Sequence, residues 1–205
     1  MCSQHSTVDE ILNFWFGQAL IDANALAHRE QVWFRADPEF DREVKEKFGT
    51  DLESAINSDL SSWKNSPRAR LAGIVLLDQF SRNVYRGTSK AFAGDRAALD
   101  LCMEGLARSE DQDLHPIERT FFYMPMQHSE QLAIQEQSVR KFAELLSHSP
   151  NEIRTYLQSS LQFAIEHRDI VKRFGRFPHR NKILGRQSTP EEQEFLRTEG
   201  KRYGQ

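Results

Sequence analysis

The sequence predicts an all-α protein, and three observations support that prediction. Strand signals are nearly absent, whereas apolar residues recur at helical spacing along most of the chain. Capping residues and prolines mark one helix start after another. A chain of 205 residues that is 39% hydrophobic can bury a substantial core, so we expect one helical domain over residues 1–205.

The helices of the first half begin at capping residues. Thr7 and Glu10 have the spacing of a capping box, and Asp37 precedes Pro38 at the start of a third helix. We expect Gly49 to end that helix. In chain order, the predicted segments of the first half are residues 8–20, 25–34, 38–48, a weaker 51–57, 67–82 and 95–107. Residues 83–93 are predicted to form a loop.

Prolines and capping residues also divide the second half. Pro125 is expected to break one helix, and Ser129 is expected to cap the next. The predicted segments are residues 116–123, 130–146, 150–174 and 190–199. About nine helices with short connections form antiparallel pairs, in either an irregular bundle or an α-solenoid. No clean repeat of about 34 residues is present.

Composition limits the classes of function. The net charge of -3 argues against a general nucleic-acid binder. No apolar run approaches the roughly 20 residues that span a bilayer, so no membrane segment is expected. Cys2 and Cys102 have no zinc-site spacing and are expected to be reduced thiols. With an N-terminus that is not a signal peptide, the sequence predicts a cytoplasmic protein.

The most basic stretch of the chain lies between His167 and Arg186, with seven arginines and lysines and two histidines. Within it, RFGRFPHRN at 173–181 combines a helix-ending glycine with Pro178, which fixes the backbone. Its arginines could hold a carboxylate or phosphate in bidentate contacts. The alternative is an intramolecular network in which they pair with Asp78, Asp95 or Glu130.

Asp78 lies on the apolar face of the helix 67–82, where a carboxylate should be paired. Arg82 is one turn away and could supply that pair, which would make Asp78 structural. Otherwise Asp78 faces a pocket with a perturbed pKa that suits acid–base chemistry. Asn83 and its neighbours, rich in hydrogen-bond donors, are either a solvated connection or a ligand-binding loop.

Two histidines and a helix start provide further candidates. His128, Ser129 and Glu130 begin a helix, and a helix N-terminus favours an anion. Ser129 and Glu130 could equally be an ordinary cap. His167 lies on the inward stripe of the helix 150–174 and is either a core residue or a ligand of the site.

Standard cofactor and nucleophile motifs are absent from the sequence. There is no GxxxxGK[ST], GxGxxG, HExxH or GxSxG, so no cofactor is identified. The histidine spacing does not require a metal, and we predict none.

Five ordered motifs resemble a known family. They are FWFG at 14–17, LLDQFSRNVYRGT at 76–88, AFAGDRAAL at 91–99, FFYMPMQHSE at 121–130, and GRFPHRNKILGR with STPEE at 175–192. Together they resemble the bacterial domain-of-unknown-function family 924 over nearly the whole chain. The resemblance implies an all-helical fold like that of tetratricopeptide-repeat proteins, with antiparallel hairpins stacked on one another. It implies no reaction.

Polar motifs from four parts of the chain therefore lead to one hypothesis, a single pocket that binds a small anionic molecule or a peptide carboxylate. Its expected catalytic residues, if it carries out chemistry, are Asp78, His128 and His179, with a histidine as general acid or base. The expected ligand-binding residues are Arg82, Asn83, Glu130, His167, Arg173, Arg180 and Asn181.

Two alternatives remain open from the sequence. The first is a tetratricopeptide-like scaffold that binds protein partners without catalysis. The second is a homodimer, for which Trp15, Phe16, Trp33 and Phe34 offer an aromatic patch unless they belong to the core. A scaffold should have a broad open groove, whereas a small-ligand protein should have a closed pocket with perturbed histidines.

Overall fold

The computed structural model describes residues 7–57 and 60–199, and all regular structure in these ranges is helical. Nine helices result when three consecutive segments are counted as one, which confirms the all-α prediction. They are α1 Val8–Phe16, α2 Ala23–Phe34, α3 Pro38–Asn57, α4 at 67–84, α5 Asp95–Ala107, α6 Pro116–Gln127, α7 Leu132–His148, α8 Arg154–Phe174 and α9 Pro190–Thr198. The end predicted at Gly200 for the last helix lies outside the described residues.

Capping side chains fix the helix starts that the sequence predicts. The Thr7 hydroxyl accepts a hydrogen bond from the Glu10 backbone N–H at 3.2 Å, and the Glu10 carboxylate accepts one from Thr7 at 2.6 Å. Thr189 and Glu192 repeat this arrangement at α9. Each cap satisfies backbone donors that would otherwise lack partners, so these helix starts are encoded locally.

Three predicted helix boundaries are wrong. Gly49 does not end α3, because Leu52 and Ala55 continue the buried face and keep the helix intact to Asn57. Pro125 lies inside α6, where its buried neighbours hold the helix although proline supplies no N–H to the ladder. Ser129 precedes the N-cap of α7, which is Gln131, and its hydroxyl accepts from the Gln131 N–H at 3.2 Å.

Helix α4 is the centre of the fold. It runs as an α-helix over Pro67–Ile74, a π-helix over Val75–Phe80 and an α-helix over Ser81–Val84, and it contacts α1, α3, α5 and α6. Its residues from 69 to 81 are all buried. The predicted loop at 83–93 therefore begins with the last turn of α4 and contains a 3₁₀ turn, Ser89–Phe92.

The tetratricopeptide-like stacking is not confirmed. Helices α7 and α8 do form an extensively packed pair joined by a short connection. In a solenoid, however, each repeat contacts only its neighbours. The surrounded position of α4 is that of a central helix in a bundle, so the stacked array stays a prediction.

The N-terminal aromatic residues belong mostly to the core. Trp15, Phe16 and Trp33 are buried, and rings from α1, α2 and α6 meet around Phe121. Phe34 is 47% exposed. A homodimer through these residues stays a prediction, with most of the proposed patch already used inside the molecule. Within the described ranges, no helix is long and apolar enough to cross a membrane.

Candidate functional site

A cavity of about 240 Å³ lies between α2, α4, α6, α8 and the segment that follows α8. Six of the ten predicted site residues line it, namely Arg82, Asn83, His128, His167, His179 and Arg180. They come from four separate parts of the chain. The cavity thus brings together most of the polar side chains that the sequence singles out.

Asp78 and His128 form a hydrogen-bonded pair at the wall of this cavity. The Asp78 carboxylate is fully buried, and its oxygens lie 2.8 and 3.0 Å from Nδ1 of His128. Burial alone would raise the pKa of Asp78, but the charges of Arg82 and His128 outweigh it and hold that pKa below its ordinary value. The carboxylate is therefore ionised at neutral pH, and Nδ1 of His128 is the donor.

The π-helical segment determines where Asp78 points. The wider turns of a π-helix leave backbone carbonyls to be satisfied by side chains, and such segments often occur at functional sites. Here the Ser81 hydroxyl donates to the Leu77 carbonyl at 2.6 Å, and Arg82 donates to the Asp78 carbonyl. Gln79 lines the cavity and donates to the Asp78 carboxylate at 2.6 Å. Both oxygens of Asp78 are thus engaged, which fixes the acceptor for His128.

Asp95 links the two buried arginines of the site. It lies at the first position of α5, where an Arg82 nitrogen approaches within 3.0 Å and an Arg180 nitrogen within 3.5 Å. Gly94 makes this approach possible, since a Cβ there would lie 2.3 Å from the Leu77 carbonyl oxygen. The intramolecular network that the sequence left as an alternative is therefore present for Arg180, which pairs with Asp95, and for Arg186, which pairs with Glu130. The alternative pair of Asp78 with Arg82 is present as well.

This network leaves part of each guanidinium unused. Arg180 donates to the His128 backbone carbonyl at 3.0 Å and stacks between the rings of Phe92 and Phe177. Yet Nε of Arg180 and Nη2 of Arg82 are buried and have no hydrogen-bond partner among the described residues. A buried N–H without an acceptor costs free energy, and charged groups more than neutral ones. These two atoms are unsatisfied guanidinium donors of the site, and Oδ1 of Asp95, 3.0 Å from Nη1 of Arg82, is a buried acceptor that also has no hydrogen bond among the described residues.

The surroundings of the three histidines at the cavity favour the neutral imidazole near neutral pH. Burial lowers the pKa of His167 and of His179 to about 3, assisted by neighbouring positive charge. Burial and Arg82 lower the pKa of His128, against the opposing effect of Asp78. Nδ1 of His167 donates to the Phe163 carbonyl at 2.7 Å, which sets its tautomer. A neutral imidazole adds no charge to the resting site and has a lone pair that can accept a proton.

Three predicted ligand-binding residues do not reach the cavity. Arg173 is exposed and pairs with Glu191 and Glu199 of the C-terminal region. The Glu130 carboxylate accepts hydrogen bonds from Nη1 and Nη2 of Arg186 and from the backbone N–H of Phe177.

The third, Asn181, donates to Ser188 and Glu192. Contacts of this kind hold the segment 175–189 in place, and that segment carries His179 and Arg180. Glu130 and Asn181 therefore support the site without facing it.

Sequence reasoning missed the apolar half of the cavity. The apolar lining residues that were not predicted include Trp33, Phe34, Phe92, Tyr156 and Phe163. For Phe163 a signal existed, because it lies one helical turn before His167 and so shares its face. The aromatic residues of α2 carried no such signal, since nothing in the sequence places α2 beside α8.

The described residues include no group of three or more histidine, cysteine, aspartate or glutamate side chains arranged to hold a metal ion. The side chains at the cavity are an Asp–His pair, two further imidazoles and four arginines, namely Arg35, Arg82, Arg86 and Arg180, beside an aromatic wall.

Fold and site together define an all-α protein with a buried polar centre open to one small cavity. Residues 11–200 match the family described as "Bacterial protein of unknown function (DUF924)", and the chain belongs to that family. A solved structure of a protein of unknown function from Agrobacterium tumefaciens is similar, with 35% sequence identity and a TM-score of 0.77. The similarity covers 92% of this chain and 96% of that one. A search of curated proteins found no match.

Proposed function

We propose that the cavity binds a small anionic molecule, with the anionic group at Arg82 and Arg180, and that Nε2 of the neutral His128 accepts a proton from another group of that molecule. The observation that carries the proposal is the pair of unsatisfied donors, Nη2 of Arg82 and Nε of Arg180, in side chains that line one cavity. An oxyanion is the natural acceptor for guanidinium N–H groups.

Both guanidinium groups keep their charge at the working pH. Burial lowers the pKa of Arg180 to about 10, which still leaves it protonated near neutrality. Burial acts in the same direction on Arg82, but the carboxylates of Asp78 and Asp95 raise its pKa above the ordinary value. A ligand oxygen between the two side chains would supply the missing acceptor without a need to charge either group.

His128 supplies the acid–base part of the proposal. Because the ionised Asp78 accepts from Nδ1–H, the lone pair of the neutral imidazole lies on Nε2. Nε2 has no hydrogen-bond partner among the described residues. A carboxylate that fixes the tautomer and stabilises the imidazolium is the arrangement used in general-base catalysis. His179, the other predicted catalytic histidine, lines the same cavity.

A thermal-unfolding screen tests anion binding. The probes are acetate, phosphate and sulfate, with acetamide as the neutral counterpart of acetate. A ligand at 100 times its Kd stabilises the folded state by about 2.7 kcal/mol. For a chain of this length that free energy corresponds to a rise in Tm of roughly 5–10 °C.

Two arginine variants localise the effect. Arg180→Met removes the guanidinium at the cavity, and Arg173→Ala removes an exposed one that pairs with Glu191 and Glu199 away from it. We expect the anion-dependent rise in Tm to persist in Arg173→Ala and to be lost in Arg180→Met. The proposal fails if acetamide raises Tm as much as acetate does, or if no anion raises the Tm of the unmodified protein.

A further inference from the structure

Helix α8 lines the cavity over about three of its turns. Tyr156, Ser160, Phe163 and His167 of α8 all line it. Positions 156 and 167 are eleven residues apart, which corresponds to about 16 Å of helix axis. The two ends of the cavity are therefore separated by several times the size of a carboxylate.

One end is polar and carries two guanidinium groups, those of Arg82 and Arg180. The rings of His128 and His167 are 6.3 Å apart between centroids, and Arg180 donates to the backbone carbonyl of His128. The ring of Phe92 contacts both arginines, because its centroid lies 5.8 Å from the guanidinium carbon of Arg82 and 4.8 Å from that of Arg180. The unsatisfied guanidinium nitrogens belong to this end.

The other end is aromatic. The ring of Tyr156 lies 6.4 Å from that of Trp33, which in turn lies 6.2 Å from Phe34. Phe34 and Phe163 also line the cavity, yet they are 47% and 46% exposed. Glu30 adds a carboxylate on this side, and its charge is felt at Tyr156. Arg35 also lines the cavity, so the charge of Glu30 is opposed by a guanidinium, and the rings favour an apolar group at this end.

Charge at the polar end limits the ligand further. Arg82 and Arg180 contribute two positive charges, and Asp78 and Asp95 contribute two negative charges within ion-pair distance. With the histidines neutral, the cluster has no net charge. A dianion such as phosphate would leave two negative charges uncompensated in a partly buried site, whereas a carboxylate would leave one. The balance favours a monoanion.

We infer that the ligand is an apolar monocarboxylic acid, bound with its carboxylate between Arg82 and Arg180 and its hydrocarbon body along α8 toward Trp33 and Phe34. This inference rests on the proposed function and specifies its ligand class. The cavity volume of about 240 Å³ limits the body to small-metabolite size.

Isothermal titration with straight-chain carboxylates tests the inference. The probes are acetate, butanoate, hexanoate, octanoate and decanoate at pH 7.5, with hexanamide and octanamide as neutral counterparts. Each CH₂ moved from water to an apolar wall should tighten binding about fourfold, the ratio that corresponds to ~0.8 kcal/mol. We expect this gain until the chain fills the cavity, and at least tenfold weaker binding of each amide than of its acid.

Two variants at exposed positions report on the path of the chain without threatening the fold. Phe163→Ala removes a ring from the cavity wall, and Leu184→Ala removes an exposed apolar side chain that does not line it. Phe163→Ala should lower the affinity for octanoate several-fold and leave that for acetate within twofold. Leu184→Ala should leave both unchanged.

The results separate the two proposals. If acetate and phosphate bind but longer chains bind no more tightly, the ligand class is wrong and anion binding stands. If octanoate and octanamide bind equally, the carboxylate is not recognised and both proposals fail. If Phe163→Ala and Leu184→Ala weaken octanoate equally, the chain does not lie along α8 and the inference is overturned.

Discussion

Acidification from pH 7.5 to pH 5 should destabilise this protein through its buried histidines, and His167 is the clearest case. It is 6% exposed, and burial lowers its pKa to about 3 in the folded protein. In the unfolded chain the pKa returns to about 6.5. Below pH 6.5 the unfolded state therefore binds a proton that the folded state does not, so stability falls as the pH falls.

The magnitude follows from these two pKa values. At pH 5 the unfolded imidazole is protonated roughly thirty to one, while the folded imidazole is still neutral. That difference costs about 2 kcal/mol of unfolding free energy for His167, and His179 adds a similar or smaller amount. The Asp78 carboxylate does not contribute to the loss of stability between pH 7.5 and pH 5. Because its folded pKa is lowered, its contribution to stability persists down to its ordinary pKa of 3.8 and declines only below it.

Urea unfolding followed by tryptophan fluorescence measures the effect in the unmodified protein and in His167→Asn. The asparagine amide can donate to the Phe163 carbonyl as Nδ1 does, but it does not titrate. We expect the loss of stability between pH 7.5 and 5 to be about 2 kcal/mol smaller in the variant, and the difference between the two proteins to be constant from pH 7.5 to 9. An identical acid slope in both proteins would refute the reasoning.

Three substitutions test the packing that positions the site. Gly94→Ala should lower the unfolding free energy by about 1–3 kcal/mol, because its Cβ would overlap the Leu77 carbonyl oxygen; an unchanged urea midpoint would contradict this close approach. Phe177→Ala should lower the unfolding free energy measured by calorimetry by about 3–5 kcal/mol, because the Phe177 ring is fully buried between His167 and Arg180. A loss under 1 kcal/mol would show that the segment 175–189 does not pack against α8 through this ring. Glu130→Gln should lower the unfolding free energy by about 1–3 kcal/mol, because it weakens the hydrogen-bonded pair with Arg186. In a double-mutant cycle, its effect should not add to that of Arg186→Ala. Simple additivity would mean that the two side chains do not interact.

The fold class was predictable because its signals are local. A capping box such as that of Thr7 and Glu10 acts over three residues, and the apolar stripe of α8 is visible at its own spacing. Boundaries failed where tertiary burial overrides a local signal. Gly49 and Pro125 both lie inside helices, because their neighbours on either side have partners elsewhere in the core.

The polar half of the site was also accessible from the sequence. Asp78 stands in an apolar helix face and His128 at a helix boundary that needs no imidazole, and the two side chains meet at 2.8 Å. Charge alone did not identify the ligand-facing arginines. Arg173 and Arg180 stand seven positions apart in one basic run, yet only Arg180 lines the cavity.

The parts of the site that could not be predicted from the sequence depend on contacts between segments that are distant in the chain. The π-helical turn that aims Asp78 has no sequence pattern of its own, and Asp95 joins two arginines only because α5 packs against α4 at Gly94. The aromatic end requires α2 to lie beside α8, as seen at Trp33 and Tyr156. Residues in such contacts are not marked by local spacing, so they could not be chosen from a single sequence.

The central claim is that Asp78 holds His128 as a base at an anion-binding cavity, and histidine nitrogen NMR tests it most directly. In ¹H–¹⁵N spectra of the ligand-free protein at pH 7.5, His128 should be the neutral tautomer with the proton on Nδ1, since the ionised Asp78 accepts from that atom. Adding octanoate should shift the Nε2 resonance of His128 and leave that of the exposed His148 unmoved. A proton on Nε2 in the free protein, or resonances of His128 that do not respond to any bound anion, would contradict the account.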